Sequence, residues 1–126
     1  MLGLIVATAL LGVHLGHALI VRRTEDQFLT TVEAEWARFV QVLQVQNIAG
    51  QVNYAHASVA FKYGVPVTQT VTLPLPAGMT VSSVTPWVDF RQGGEVRILQ
   101  TLTFTRADGQ QVKYSVGLDW GVLVRQ

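Results

Sequence analysis

An uncharged apolar run at the N-terminus constrains the fold of this chain more than any other feature. Residues 1–21 contain no Asp, Glu, Lys or Arg, and Arg22 and Arg23 follow at once. At about 1.5 Å per residue, a helix over this run is about 31 Å long, close to the thickness of a bilayer's hydrocarbon core. A cleaved secretory signal would begin with basic residues, and a buried core helix would need more protein around it. We therefore predict that residues 1–23 form a transmembrane helix.

Two pairs of residues inside this run bear on what the helix contacts. Gly12 and Gly16 form a GxxxG pair, which lets a second helix approach closely, so we predict a helix-assembly contact there. His14 and His17 lie three apart on one side of the helix. Because the run contains no other ionisable group, we interpret the two histidines as ordinary helix residues and not as a metal site or a proton relay.

The composition indicates one folded domain attached to this helix and excludes several classes of protein. Of the 126 residues, 49% are hydrophobic and 13% are charged, which is typical of a folded chain and not of a disordered one. The net charge of +1 provides no basic field for nucleic acid. Cysteine is absent, so the chain has neither disulfides nor thiolate metal ligands.

A second helical pattern continues from the apolar run. Residues 24–47 contain neither Gly nor Pro, and apolar residues recur in them at spacings of three and four. This stripe consists of Phe28, Val32, Trp36, Phe39, Val40 and Leu43. We predict an amphipathic helix over residues 24–49, continuous with the first in one rod of about 68 Å. We expect it to stop at Ala49–Gly50 and to pack its stripe against the domain that follows.

The charged residues of this second segment mostly lie off the stripe. Glu33 and Glu35 are two apart and so point in different directions, which argues against a catalytic carboxylate pair. We interpret them as part of a solvated face. Glu35 and Arg38 are three apart, and we expect a weak ion pair between them.

Residues 50–126 show the pattern of an antiparallel sheet. Alternating or β-branched residues predict strands at 57–63, 68–73, 79–84, 87–90, 95–106, 112–118 and 122–124. Asp108–Gly109 is the strongest two-residue hairpin signal, since both residues tolerate positive φ. The predicted fold class is α+β, with a long N-terminal helix, half membrane and half amphipathic, packed on a small antiparallel sheet of about five to seven strands.

No set of residues indicates catalysis or cofactor binding. His56 is the one histidine outside the apolar run, so no histidine cluster is available for zinc. The serines lack a GxSxG elbow, and no GK[ST] sequence follows Gly93–Gly94. We predict no enzyme activity, no catalytic, metal or cofactor-binding residue, and no small-molecule ligand. We interpret the cations of the second half as a scattered solvated face: Arg91, Arg97, Arg106, Lys113 and Arg125.

The whole layout resembles a known family. The residues that carry the likeness are LPAGM at 75–79, VDFRQGG at 88–94, TLTFTRADGQQVKYSV at 101–116 and GLDWGVLVRQ at 117–126. With the two-part helix, they resemble type IV pilins and type II secretion pseudopilins, and among these the minor pilins with a GspH/FimT-like domain, closest to the competence ComGD family.

The sequence departs from the family at the N-terminus. Prepilins of the family carry a basic leader, a Gly before the cleavage site and a Phe-Thr-Leu-x-Glu start. Here no basic residue precedes the apolar run, and residues 1–21 contain no Glu. As written, Arg22 and Arg23 would hold the domain inside the cell. Our hypothesis is that the printed sequence starts part-way into such a helix.

The resemblance implies assembly as the function. It predicts a minor pilin of a competence pilus used in DNA uptake, anchored once in the cell membrane with its domain outside, and at the cell surface when assembled. The implied partners are the membrane and other pilin subunits of the filament. The near-neutral charge gives no support for direct DNA contact. Two alternatives stay open, a secretion pseudopilin and an anchored binding domain that never polymerises.

Overall fold

One long helix and eight strands make up the described part of the chain. The computed structural model describes residues 2–55, 57–96, 100–117 and 123–126, with side chains from residue 16 onward. The helix is α1 (Leu2–Gln46). The strands are β1 (Gly50–Ala55), β2 (Ser58–Tyr63), β3 (Gln69–Pro74), β4 (Thr80–Ser82), β5 (Trp87–Phe90), β6 (Gln100–Thr105), β7 (Gln111–Val116) and β8 (Leu123–Arg125).

The helix α1 runs without a break over 45 residues and joins the two predicted helical segments. It ends at Gln46, before the predicted stop at Ala49–Gly50. The reason is Asn47, which adopts the left-handed conformation (φ 53°) and lets the Ile48 amide donate to the Leu43 carbonyl at 3.1 Å. This is the Schellman arrangement, with Asn in the place that glycine often takes.

No helix in the described part of the chain is both long and apolar enough to cross a membrane. The predicted span over residues 1–23 depends largely on residues 1–15, whose side chains lie outside the described part. The transmembrane helix therefore stays a prediction.

The strands form two antiparallel four-stranded sheets. Sheet 1 has the order β3-β2-β1-β5, and sheet 2 has the order β4-β6-β7-β8. The predicted α+β fold with a long helix on antiparallel strands is confirmed, but the strands divide into two sheets instead of one. The division follows from the pairing of the strands. β1 pairs with β2 on one side and with β5 on the other, whereas β4 pairs with β6 in sheet 2.

Strand β1 was not predicted from the sequence. Its polar residues Gln51 and Asn53 weaken the β signal, because Asn is depleted in strands. Val52 and Tyr54 alternate with them and are buried. The first position of the strand has room only for glycine. A Cβ at Gly50 would lie 2.7 Å from both the Lys62 carbonyl oxygen and the Phe39 ring.

The β6–β7 hairpin lies where Asp108–Gly109 predicts it, but its turn is longer than two residues. The Arg106 amide donates to the Gln110 carbonyl at 2.8 Å, which places three residues in the loop. Only Gly109 has positive φ (88°). Asp108 keeps negative φ, and its Oδ1 accepts a hydrogen bond from the Gln110 amide at 2.9 Å.

The core lies between α1 and the two sheets. Along the helix, Phe28 contacts Phe104 of sheet 2, with ring centroids 6.0 Å apart. Further along, Phe39 packs on Tyr63 and Phe90 of sheet 1 at 4.9 and 5.0 Å. The first part of the packed helix therefore lies on sheet 2 and the second part on sheet 1, so that one helix joins both sheets.

Candidate assembly surface

The helix α1 extends beyond the sheets at its N-terminal end. Residues 17–20 are exposed, and Glu25 is the first buried residue among the helix side chains that the structure describes. Two large apolar side chains on this end, Leu19 and Ile20, are 70% and 66% exposed. We call residues 16–21 the arm. Since exposed apolar side chains on a helix favour contact with lipid or another protein, the arm is the candidate assembly surface.

Of the predicted GxxxG pair, Gly16 lies on the arm and Gly12 lies among the residues whose side chains are outside the described part. A Cβ built at Gly16 meets no atom within 4 Å. The sheets therefore leave this position open to a neighbouring molecule, and a larger side chain there would not disturb the fold of the chain itself.

A buried ion pair fixes the helix where the arm ends. Arg106, in the β6–β7 turn, has a side chain only 4% exposed, and its Nη1 lies 3.7 Å from Glu25 Oε1. Its Nη2 donates to Asp26 Oδ1 at 2.5 Å. The Ala107 amide donates to Glu25 Oε2 at 2.8 Å. We call Glu25, Asp26 and Arg106 the clamp.

The clamp changes the acidity of one carboxyl group. The hydrogen bond from Arg106 lowers the pKa of Asp26 below its usual range, and the charges of Arg106 and Arg22 act in the same direction. Asp26 is therefore ionised at neutral pH and remains available to Arg106.

An exposed pair lies beside the clamp. Arg22 Nη1 is 3.8 Å from Asp108 Oδ2 and donates to Gln110 Oε1 at 3.2 Å. The surface next to it forms an open cleft of about 700 Å³ in which apolar and charged side chains meet. Its lining includes Leu19, Ile20, Arg22, Arg23, Asp26 and Gln27.

Glu33 and Glu35 bind tyrosines, so their interpretation as a solvated face is wrong. Tyr114 of sheet 2 donates its hydroxyl to Glu33 Oε1 at 2.7 Å. Tyr63 of sheet 1 donates to Glu35 Oε1, also at 2.7 Å. Because side chains two apart on a helix diverge, each carboxylate reaches a different sheet.

The two hydroxyl groups become weaker acids in these positions. Burial raises the pKa of Tyr63 and of Tyr114, and the hydrogen bond to a carboxylate raises each further, since a phenolate beside a carboxylate is unfavourable. The predicted pair of Glu35 and Arg38 is confirmed, with Nη1 and Oε1 3.4 Å apart.

The six predicted helix–sheet packing residues all lie in the core. Their exposed fractions are at most 9%: Phe28, Val32, Trp36, Phe39, Val40 and Leu43. Two charged residues, Glu25 and Arg106, are buried although the sequence pattern did not predict it. Glu25 lies three residues before Phe28, in line with the stripe, and a charge in that place indicates a buried partner.

The described cations of the second half differ in burial, so they do not all lie on a solvated face. Arg106 was predicted to be solvated and is instead buried in the clamp. Arg91, Lys113 and Arg125 are exposed, and Arg97 lies outside the described residues. Among the residues that the structure describes, no three His, Cys, Asp or Glu side chains come together as a metal site.

Comparison with known proteins adds one structural likeness. No protein-family profile matches the chain, and no curated protein sequence matches it. The crystal structure of the type IV minor pilin FimU from Pseudomonas aeruginosa superposes with a TM-score of 0.61. The fold is pilin-like. The match covers 87% of this chain and 90% of the FimU chain at 9% identity, and at that identity it shows the fold alone.

Proposed function

We propose that this chain is a minor pilin of a competence type IV pilus, which takes part in DNA uptake by assembly and not by catalysis. The observation that carries the proposal is the arm, an apolar end of α1 that the sheets of a pilin-like fold leave uncovered. The sequence resemblance to the ComGD family supports the competence pilus over other pilin-like assemblies.

In the proposed mechanism, the N-terminal part of α1 first anchors the chain once in the cell membrane, with the domain outside. It then leaves the bilayer and packs beside the helices of other pilin subunits in the filament core. Helices exchange lipid contacts for helix contacts in such a step, and small residues such as Gly12 and Gly16 allow the closest approach. The two sheets then form the outside of the filament at the cell surface.

Direct contact with DNA is not part of the proposal. The net charge is +1, and one of the described cations, Arg106, is buried in the clamp and held there by carboxylates. Tight binding to DNA depends on many Lys and Arg side chains gathered at the phosphates. The chain would therefore act on DNA through the filament that it joins.

The test compares two substitutions on the arm. Each variant is expressed in cells of the native organism from which the endogenous gene has been deleted. Gly16→Leu keeps the arm apolar but prevents close helix approach. Ala18→Leu adds the same side chain at an exposed position of the same arm. We expect Gly16→Leu to reduce subunit incorporation and transformation by about tenfold, equivalent to roughly 1.4 kcal/mol of packing. Ala18→Leu should stay near wild type.

Membrane-fraction immunoblots must show equal amounts of both variants. Normal transformation in cells that lack the gene would contradict the competence function. If those cells instead fail to secrete an exported protein, the chain is a secretion pseudopilin. If the chain never enters a filament although transformation requires it, it is an anchored binding domain that does not polymerise.

A further inference from the structure

The outer edge of β3 is the least protected strand edge in the described part of the molecule. β3 pairs with β2 on one side, and no described strand pairs with its other side. Proteins usually blunt such edges with charge or by keeping the strand short. The other edge strands follow this rule, since β4 and β8 have three residues each and β5 has four, including Asp89. β3 has six residues and no charge, and its one proline, Pro74, lies at the last position and leaves the middle of the edge unprotected.

The surroundings of this edge are also uncharged. No Asp, Glu, Lys, Arg or His occurs between Lys62 and Asp89. Val65 and Val67, in the loop before β3, are 80% and 52% exposed. Nothing in this stretch therefore repels a second strand, and exposed apolar surface lies beside the edge.

The hydrogen bonds of sheet 1 fix which groups of β3 are free. The Leu75 amide donates to the Ala57 carbonyl, and the Gly64 amide donates to the Ala49 carbonyl, both at 2.8 Å. Since bonded pairs alternate along an antiparallel ladder, Gln69, Val71 and Leu73 bond to β2. The outward amides of β3 are then those of Thr70 and Thr72, because Pro74 has none.

We propose that β3 pairs with β3 of a second copy of this chain, antiparallel and about a twofold axis at Val71. In this register Thr70 faces Thr72 of the second copy, and Thr72 faces Thr70. Each facing pair exchanges two hydrogen bonds, so both outward amides of each strand are satisfied. Sheet 1 of one copy and sheet 1 of the other would then form one continuous sheet.

The symmetry of the free groups favours a second copy over a different partner. A twofold contact needs a surface that is complementary to itself, and the free donors and acceptors lie at equal distances on either side of Val71. Like charges facing each other would oppose such a contact, and the strand has none. The inference depends on sheet geometry alone and not on the proposed function.

Single cysteines test the contact and its register, because the chain has no cysteine of its own. In the full chain, Val71→Cys places two thiols across the axis in a non-bonded pair, where Cα atoms are about 4.5 Å apart and a disulfide fits. Leu73→Cys is the matched control, since Leu73 is equally half-buried on the same strand. Its two copies would lie about 14 Å apart.

Mild oxidation of the purified full chain should give a covalent homodimer with Val71→Cys, at least about tenfold more than with Leu73→Cys or with the exposed control Val84→Cys. Equal yields from Val71→Cys and Leu73→Cys, or no dimer from Val71→Cys, would overturn the proposal. Adding Thr70→Lys and Thr72→Lys to Val71→Cys should abolish the dimer, because lysines then face each other. As a control, lysines at Thr80 and Ser82 of β4 should leave the dimer intact. A dimer that still forms with lysines at Thr70 and Thr72 would also overturn the proposal.

Discussion

The carboxylates of Glu33 and Glu35 stabilise the fold through tyrosine hydroxyls. Each accepts one hydroxyl at 2.7 Å from a different sheet. Hydrogen bonds that involve a charged partner contribute about 1.5–3 kcal/mol. Two helical positions, two residues apart, thus hold both sheets against one helix.

The tyrosines predict how the fold responds to alkaline pH. The chain has 3 tyrosines, and burial raises the pKa of Tyr54, Tyr63 and Tyr114 alike. A raised folded-state pKa gives stability that is complete below the unfolded pKa of about 10 and is lost as the pH rises above it. We therefore expect phenolate absorbance to appear only together with loss of the circular dichroism signal.

The comparison for that titration is the same chain unfolded in urea. There the three tyrosines should ionise near pH 10, the ordinary value. Phenolate absorbance that rises near pH 10 in the folded chain, with circular dichroism unchanged, would show that the hydroxyls are accessible and that the described hydrogen bonds do not form.

Residue patterns along the helix predict its buried stripe but not its polar contacts. Phe28 and Trp36 lie where the three-and-four spacing puts them, in the core. Glu33 and Glu35 have partners that lie 81 and 28 residues away in the sequence. Helical spacing carries no information about such distant partners. A prediction based on spacing alone therefore treats these side chains as solvated.

The clamp joins two elements, α1 and the β6–β7 turn. Arg106 and Glu25 are each only 4% exposed. The Arg106 Nε and Nη1 atoms are buried and make no hydrogen bond. The guanidinium therefore depends on its ion pairs, and a buried charge that loses its partner is strongly destabilising.

Glu25→Gln should lower the free energy of unfolding by about 3 kcal/mol, because it leaves a buried guanidinium with only the exposed Asp26. Urea unfolding measures this change. The control is Asp108→Asn, which removes an exposed pair with Arg22 and should cost less than about 1 kcal/mol. Replacing both Glu25 and Arg106 by Met should recover most of the loss. Equal effects of the two single substitutions would contradict the clamp.

Element boundaries could be predicted only where a local signal decides them. Asp108–Gly109 locates the β6–β7 hairpin, but its turn type depends on the Asp108 side chain binding the Gln110 amide. Asn47 ends α1 before Gly50 because either residue type can adopt the left-handed conformation. Local sequence does not choose between two such residues.

Over the whole molecule, α1 is the element that both sheets share. Phe28 packs on sheet 2 and Phe39 on sheet 1. Outside the helix, Gln100 at the start of β6 donates to Thr85, just before β5, at 2.8 Å. Few other polar contacts join the sheets in the described part, so the stability of each depends on the helix.

Phe28→Ala and Phe39→Ala should therefore each destabilise the whole domain, by about 3–5 kcal/mol as for other buried phenylalanines. Urea unfolding followed by circular dichroism and by tryptophan fluorescence should give coincident single transitions. Val45→Ala, at a helical position 78% exposed, should change stability by less than about 0.5 kcal/mol. Separate transitions in Phe28→Ala would mean that the sheets unfold independently.

At this scale the sequence predicts the order of elements but not their pairing. A long helix before a set of short strands leads to the α+β class. The pairing of β1 with β5 joins Gly50 to Phe90, and contacts so far apart in sequence leave no periodic trace. The division into two sheets, and the open edge of β3 that results from it, are visible only in the structure.

Because α1 extends beyond the sheets at its N-terminal end, a force applied to the arm is transmitted to the whole domain through the helix. Tension along the helix axis loads the clamp, the tyrosine hydrogen bonds and the aromatic contacts of both sheets together, in shear. Tension perpendicular to the helix axis loads the clamp first, and the remaining contacts then break one after another. The domain therefore withstands axial pulling better than lateral pulling.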